Sequence, residues 1–297
     1  MNKIRCVVNE RFLVGESPRW HEDEQALYWV DIYRPSIERF TPSTGTRRSW
    51  PMPERIGCFS FCMDGRVIAG MQSGIAFVDL NTGEVTRVFD LAPDDPESRF
   101  NDGRVDHQGR FWVGSLLESM NSQTNALFRY DPDGTCSEMV GNLTCPNGLA
   151  FSPDGTTMYH SDSRQDFVWA WDVDPTTGAI SNRRVFIDND PMEGRPDGAT
   201  VDSEGCYWIA CVGAWRVARF MPDGTIDRVI GIPAQRPTAC ALGGTDFKTL
   251  YVTTATFPLD NAALLKQPLA GSIFAIDVDI PGLAERRFGT LDYVSFA

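Results

Sequence analysis

Cys145-Pro-Asn-Gly-Leu-Ala-Phe-Ser-Pro-Asp-Gly155 sets an asparagine between Pro and Gly, follows it with an apolar run ending at Phe151, and closes on an Asp-Gly turn. The same phrase, differently spelled, recurs through the chain. Asn147 lies four residues before the anchor Phe151. At the same phase lie Glu16 before Trp20, Gly57 before Phe61, Asn101 before Val105, Asp197 before Val201 and Thr238 before Leu242. Successive anchors are 41, 44, 46, 50 and 41 residues apart. A period of that length belongs to propeller blades or to solenoids.

Strand signals choose between the two. Each anchor is followed by a polar turn such as Met63-Asp64-Gly65 or Pro153-Asp154-Gly155, and then by a short aromatic or β-branched run. Leu27-Tyr-Trp-Val30, Phe111-Trp-Val113 and Tyr207-Trp-Ile209 are examples, and such runs bounded by Gly, Asp and Asn are strands. A third run follows in each unit, ending in a turn on Gly45, Gly83, Gly134, Gly178, Gly224 or Gly282, and a fourth leaves outward. Four strands in each of six units predict an all-β chain, a six-bladed β-propeller with four-stranded antiparallel blades. One helix is expected at Asp260-Asn-Ala-Ala-Leu-Leu-Lys266, capped by Asp260 and stopped before Pro268. No linker divides the 297 residues, so residues 1–297 read as a single propeller domain. The segment Ile4–Val8 precedes the first unit and is expected to close the last blade as its outer strand, with 286–288 as the alternative.

Composition narrows the function. With 27 basic and 40 acidic residues the net charge is −13, which disfavours nucleic acid and anionic membrane surfaces as partners. No apolar run approaches the roughly 20 residues of a membrane helix, and the N-terminus lacks a signal-peptide core. The eight cysteines show no C-x-x-C pair and read as free thiols, so the expected compartment is the cytoplasm. No obligate protein partner is implied.

In a propeller the first strand of each blade lines the central channel, so a slot just before that strand is expected on the loop entering the channel mouth, and six such slots form a ring there. Glu16, Asn101, Asn147 and Asp197 would then converge from distant parts of the chain. Two carboxylates and two amides are hard oxygen donors suited to a divalent cation. Turn capping alone would also place Asn and Asp at such junctions, but four oxygen donors in six equivalent slots favour the ion. Gly57 is expected to leave one side open, and Thr238 reads as turn chemistry. There is no G-x-S-x-G elbow, and of the three histidines His21 and His107 are expected at the surface and His160 packed in a strand. A serine triad is therefore disfavoured.

Gly15-Glu-Ser-Pro-Arg-Trp20, Arg99-Phe-Asn-Asp-Gly103, Pro146-Asn-Gly148 with Phe151-Ser-Pro-Asp-Gly155, and Pro196-Asp-Gly198 together resemble the SMP-30/gluconolactonase, or regucalcin-like, family. The stretch Asp246-Phe-Lys-Thr-Leu-Tyr-Val-Thr-Thr254 looks most like its bacterial sugar-lactonase branch. The resemblance implies hydrolysis of a small-molecule sugar lactone, such as a glucono- or pentonolactone, to its aldonic acid. It also implies one divalent metal ion, calcium first, with magnesium, manganese, zinc or iron as alternatives. Carried over by position, Glu16, Asn147 and Asp197 match the metal ligands, and Arg99 and Asn101 match residues that hold the sugar, with Asn101 near enough to the metal to be a water-bridged or direct ligand. On that arrangement Asp197 is expected to act as the catalytic base as well. Where some relatives carry an acidic pair, this chain has Leu117-Glu118-Ser119, and Glu118 is expected to keep one substrate contact. An esterase or phosphotriesterase on the same metal, and a non-enzymatic calcium-binding regulator, stand as the alternatives.

Overall fold

Short β-branched and aromatic runs broken by Asp-Gly turns can only bury their apolar side chains by stacking sheet on sheet, and the chain does so six times over. The computed structural model describes residues 3–91, 95–165, 167–188 and 192–289. It holds six four-stranded antiparallel sheets, arranged as a six-bladed β-propeller. The innermost strands are Gly15–His21, Ile56–Phe61, Ser98–Val105, Pro146–Phe151, Arg195–Val201 and Pro237–Gly243. They carry the six repeats in order.

The core lies between blades. Tyr28 and Val30 of the first blade pack with Phe59 and Ala69 of the second, and Tyr159 and Val168 of the fourth pack with Ile209 and Ala218 of the fifth. Trp29, Trp112 and Trp208 stand in second strands and are fully buried. Two of these indoles donate to a turn aspartate, Trp112 to Asp106 at 2.9 Å and Trp208 to Asp202 at 2.8 Å. Each of those aspartates also accepts backbone N–H groups of its own turn, so the hairpin and the core residue are fixed together.

The ring closes as expected from Ile4–Val8. That strand pairs antiparallel with Ile273–Asp277 and completes the sixth blade from the opposite end of the chain. The segment 286–288 has another place. Phe288 bridges Cys62, and its backbone exchanges hydrogen bonds with Phe61 and Met63. Pro281 accepts from Ser203, Gly282 donates to Phe247 and Gly289 donates to Gly109. Residues 281–289 therefore cross the end of the channel opposite the ring of slots. Gly282 is part of this crossing and closes no hairpin; the other five turn glycines all have positive φ. The single helix, Asn261–Lys266, is capped by the Asp260 side chain accepting from Ala263 N–H. No helix among the described residues is long and apolar enough to cross a membrane.

Candidate active site in the channel mouth

All six slot residues lie inside the inner strands rather than on loops leading to them. The pairing of every inner strand with its neighbour shifts register at the slot: at Glu16/Arg19, Ile56/Cys58, Phe100/Gly103, Asn147/Ala150, Pro196/Ala199 and Pro237/Ala239. A β-bulge adds an unpaired residue and re-aims its side chain. Here that device turns one residue per blade toward the axis. Left-handed backbone at Ser17 (φ 50°) and Gly148 (φ 63°) accompanies two of the bulges. At Gly148 a Cβ would stand 2.5 Å from the Tyr207 hydroxyl oxygen, so glycine is required there.

Glu16, Asn101, Asn147 and Asp197 line one cavity of about 560 Å³, together with Arg99 and Glu118. Val14, Met120 and Phe257 give it an apolar wall. Gly57 leaves no open side, contrary to expectation. A Cβ on it would lie 2.3 Å from the Phe100 carbonyl oxygen and 2.6 Å from that of Asn101, so the neighbouring bulge fills the space. Thr238 is spent on closure of the ring, donating to the Gly15 carbonyl at 2.5 Å.

The amides are oriented by a chain of hydrogen bonds. Arg99 Nε donates to Glu118 Oε1 at 2.7 Å, and its Nη1 donates to Asn101 Oδ1 at 2.7 Å. Asn101 Nδ2 donates to Asn147 Oδ1 and to the Pro146 carbonyl, both at 3.0 Å. Asn147 Nδ2 donates to Ser163 Oγ at 2.8 Å, and Ser163 Oγ donates to the Pro196 carbonyl at 2.6 Å. This run crosses three blades and leaves each amide oxygen with a second lone pair.

Glu118 gathers three donors: Arg99, Arg55 at 3.0 Å and the Tyr33 hydroxyl at 2.6 Å. Burial pushes its carboxyl up, but the Arg99 charge and the hydrogen bonds from Tyr33 and Arg99 outweigh it and hold it below its ordinary value.

The two slot carboxylates differ sharply from Glu118. Glu16 is 8% exposed and accepts from its neighbour Ser17 N–H at 2.8 Å. Burial, and then the nearby charge of Asp102, push its carboxyl up to about 8. Asp197 is raised well above the usual carboxylate range by burial and then by Glu16. Neither has a basic side chain within ion-pair distance among the described residues. Two close carboxylates without a counter-ion make a site that fits a cation. Among the described residues no three His, Cys, Asp or Glu side chains gather as a metal cluster, and any further oxygen for an ion would have to come from groups such as the Asn101 and Asn147 amides that line the same cavity. Hard oxygen donors of this kind suit calcium, magnesium or manganese.

Several participants escape a reading of the slots alone. Asp102, adjacent to Asn101, is half-buried and accepts from Gly103 N–H and from Leu149 N–H, both at 2.9 Å. It ties the Asn101 bulge to the strand that carries Asn147, and its position in Asn101-Asp102-Gly103 was the only sequence signal for it. Asp31 accepts from Leu13 and Val14 N–H, and Asp162 accepts from Thr144 and Cys145 N–H, so each anchors the segment entering an inner strand. Deeper in the channel Arg19 and Arg104 face Glu285 at 3.9 and 3.5 Å, and that glutamate belongs to the crossing segment. The histidines stand apart. His160 is buried without a hydrogen-bond partner and burial takes it down to about 4, while His21 and His107 are half-buried rather than exposed.

A family model described as SMP-30/Gluconolactonase/LRE-like region matches residues 14–256. The 6-deoxy-6-sulfogluconolactonase of Pseudomonas putida is 38% identical over 96% of this chain and 98% of its own length. The L-arabinolactonase of Azospirillum brasilense is 34% identical over 95% and 94%. Among solved structures, a calcium-binding protein, regucalcin, from Agrobacterium tumefaciens superposes with a TM-score of 0.93 at 26% identity, covering 97% of this chain and 98% of that one.

Proposed function

The chain belongs to the SMP-30/gluconolactonase/LRE-like family, and on that premise we propose that it hydrolyses a sugar lactone to the aldonic acid with one divalent metal ion at the channel mouth. The observation that carries the reading is the carboxylate pair of buried Glu16 and half-buried Asp197, both lining the cavity with no basic side chain within ion-pair distance among the described residues. Its lactonase-named relatives cover almost the whole chain, which favours this chemistry over a general esterase.

Glu16, Asn147 and Asp197 would hold the ion. When bound it supplies Lewis acidity for an ester carbonyl and lowers the pKa of water. Asp197 accepts the proton of the attacking water. The water oxygen bonds to the carbonyl carbon, the ring C–O bond breaks, and the ring oxygen leaves with a proton as the new hydroxyl. Arg99 lines the cavity and can donate to a sugar oxygen while Glu118 holds the guanidinium in place. Asn101 and the remaining lone pairs of Glu118 complete the sugar contacts.

The test is a pH-stat panel of five- and six-membered aldonolactones on metal-stripped protein with single ions restored. Opening that requires a divalent ion supports the reading, and opening in its absence overturns the metal's role. The likeness to regucalcin favours a second reading, a calcium-binding protein without turnover. It predicts ion binding with no lactone opened.

A further inference from the structure

The position two residues before each slot forms a second ring, one step outward. Around the blades it holds Val14, Arg55, Arg99, Cys145, Arg195 and Arg236, and all six line the cavity. Four arginines at one phase of the repeat is a concentration of positive charge in a chain whose net charge is −13.

The four are not equivalent. Arg55 and Arg99 share Glu118, and Glu97 lines the cavity too, in the segment that leads to Arg99. Arg195 and Arg236 have no carboxylate within ion-pair distance among the described residues. Arg164, from the turn after Asp162, lines the cavity with them, and its guanidinium is likewise unpaired there. Exposed arginines such as Arg164 and Arg195 are ordinarily solvated and by themselves indicate nothing. Arg236 is different: it is half-buried, and its Nε is sealed from solvent with no hydrogen-bond partner. Burial holds its guanidinium below the ordinary value, Asp197 acts in the opposite sense, and the like charge of Arg195 adds to the depression. A partly desolvated cation lining a cavity costs free energy that an anion reaching its guanidinium would offset.

The ring also sits at a useful distance. Two residues along a strand span roughly 6.6 Å, comparable with the reach from the carbonyl of a six-carbon lactone to its terminal carbon. Arginine's planar fork suits a multi-oxygen anion better than a single hydroxyl.

Resting on the lactonase reading, we propose that the lactone taken by this site carries an acidic oxyanion substituent at its far end, held by Arg195 and Arg236 with Arg164 at the rim. The lactone carbonyl would then lie at the slot ring and the anion at the ring above it.

The experiment compares kcat/KM for glucono-δ-lactone with that for the same lactone bearing a 6-phosphate or a 6-sulfonate. The anionic substrates are expected to be favoured by roughly tenfold or more, the two arms showing which oxyanion fits. That preference should shrink in 0.5 M salt, about three times the physiological level. In the Arg195→Gln/Arg236→Gln protein the anionic-to-neutral ratio should fall at least about tenfold, and Arg236→Lys should keep part of it. A ratio near one in the parent protein, or a ratio unmoved in the double variant, overturns the proposal while leaving the lactonase reading intact. If no lactone is opened, that reading fails, and calorimetry with 6-phosphogluconate decides the subsite. Binding lost in the double variant supports the proposal, and no binding overturns it.

Discussion

Glu16→Gln should make the metal-stripped protein more stable. Burial and the charge of Asp102 hold the Glu16 carboxyl at about 8, against an ordinary value of 4.5. The group is raised, so in the folded state it favours the protonated form. Its contribution to stability is intact below pH 4.5 and is lost as pH rises through about 8. From 4.5 to pH 7 is 2.5 pH units, each worth about 1.4 kcal/mol, so at pH 7 the metal-stripped fold forgoes about 3 kcal/mol at this residue. Glutamine keeps an acceptor for Ser17 N–H and cannot ionise. The expected result is a Tm about 6 °C above that of the parent in EDTA at pH 7, shrinking to nothing near pH 4.5. Divalent ion at about 1,000 times Kd should reverse the order, because it adds about 4.1 kcal/mol to the parent and little to the variant. Calorimetric melts over this pH range, with and without ion, make the comparison. A Glu16→Gln protein less stable than the parent in EDTA at pH 7, or a difference that ignores pH, would refute the reasoning.

Other substitutions probe separate parts of the account. Asp197→Ala should abolish lactone opening in a pH-stat assay, since it removes a proposed ligand and the proton acceptor together, and Asp197→Asn should lose most of the rate. Glu285→Ala should cost about 3 kcal/mol in urea unfolding, because Arg19 and Arg104 would keep buried charges without their partner; a loss below 1 kcal/mol would remove the crossing segment from the stability of the channel. Gly57→Ala sets a methyl group 2.3 Å from the Phe100 carbonyl oxygen, so it should displace the Asn101 bulge and lower kcat/KM even though residue 57 has no side chain to touch substrate. Activity equal to the parent would show that the Asn101 backbone does not position the site.

The period of the anchors and the Asp-Gly turns made the propeller legible, because each is a local property that six copies reinforce. Convergence of Glu16, Asn101, Asn147 and Asp197 followed from the same symmetry. What symmetry could not supply was the register between strands. A bulge is a relation between two strands with no signature in the spacing of one, so the slots read as loop positions when they lie within strands. Gly57 read as open space for the same reason: what fills it is the backbone of another blade. The role of Asp102 depends on Leu149 N–H, nearly fifty residues away, and that of Glu285 on Arg19 and Arg104 in the first and third blades. The ring of arginines two positions before the slot was legible in principle, since it obeys the same repeat, but only the structure shows that Glu118 neutralises one half of it.

The central claim is that Glu16, Asn147 and Asp197 grip one divalent ion at which a lactone is opened. Lactone hydrolysis followed in a pH-stat, on metal-stripped protein titrated with a single divalent ion, tests it most directly. The account predicts no turnover before the ion is added and saturation at one equivalent per chain. Full turnover in the stripped protein, or ion binding that survives in Asp197→Ala with activity intact, would contradict it.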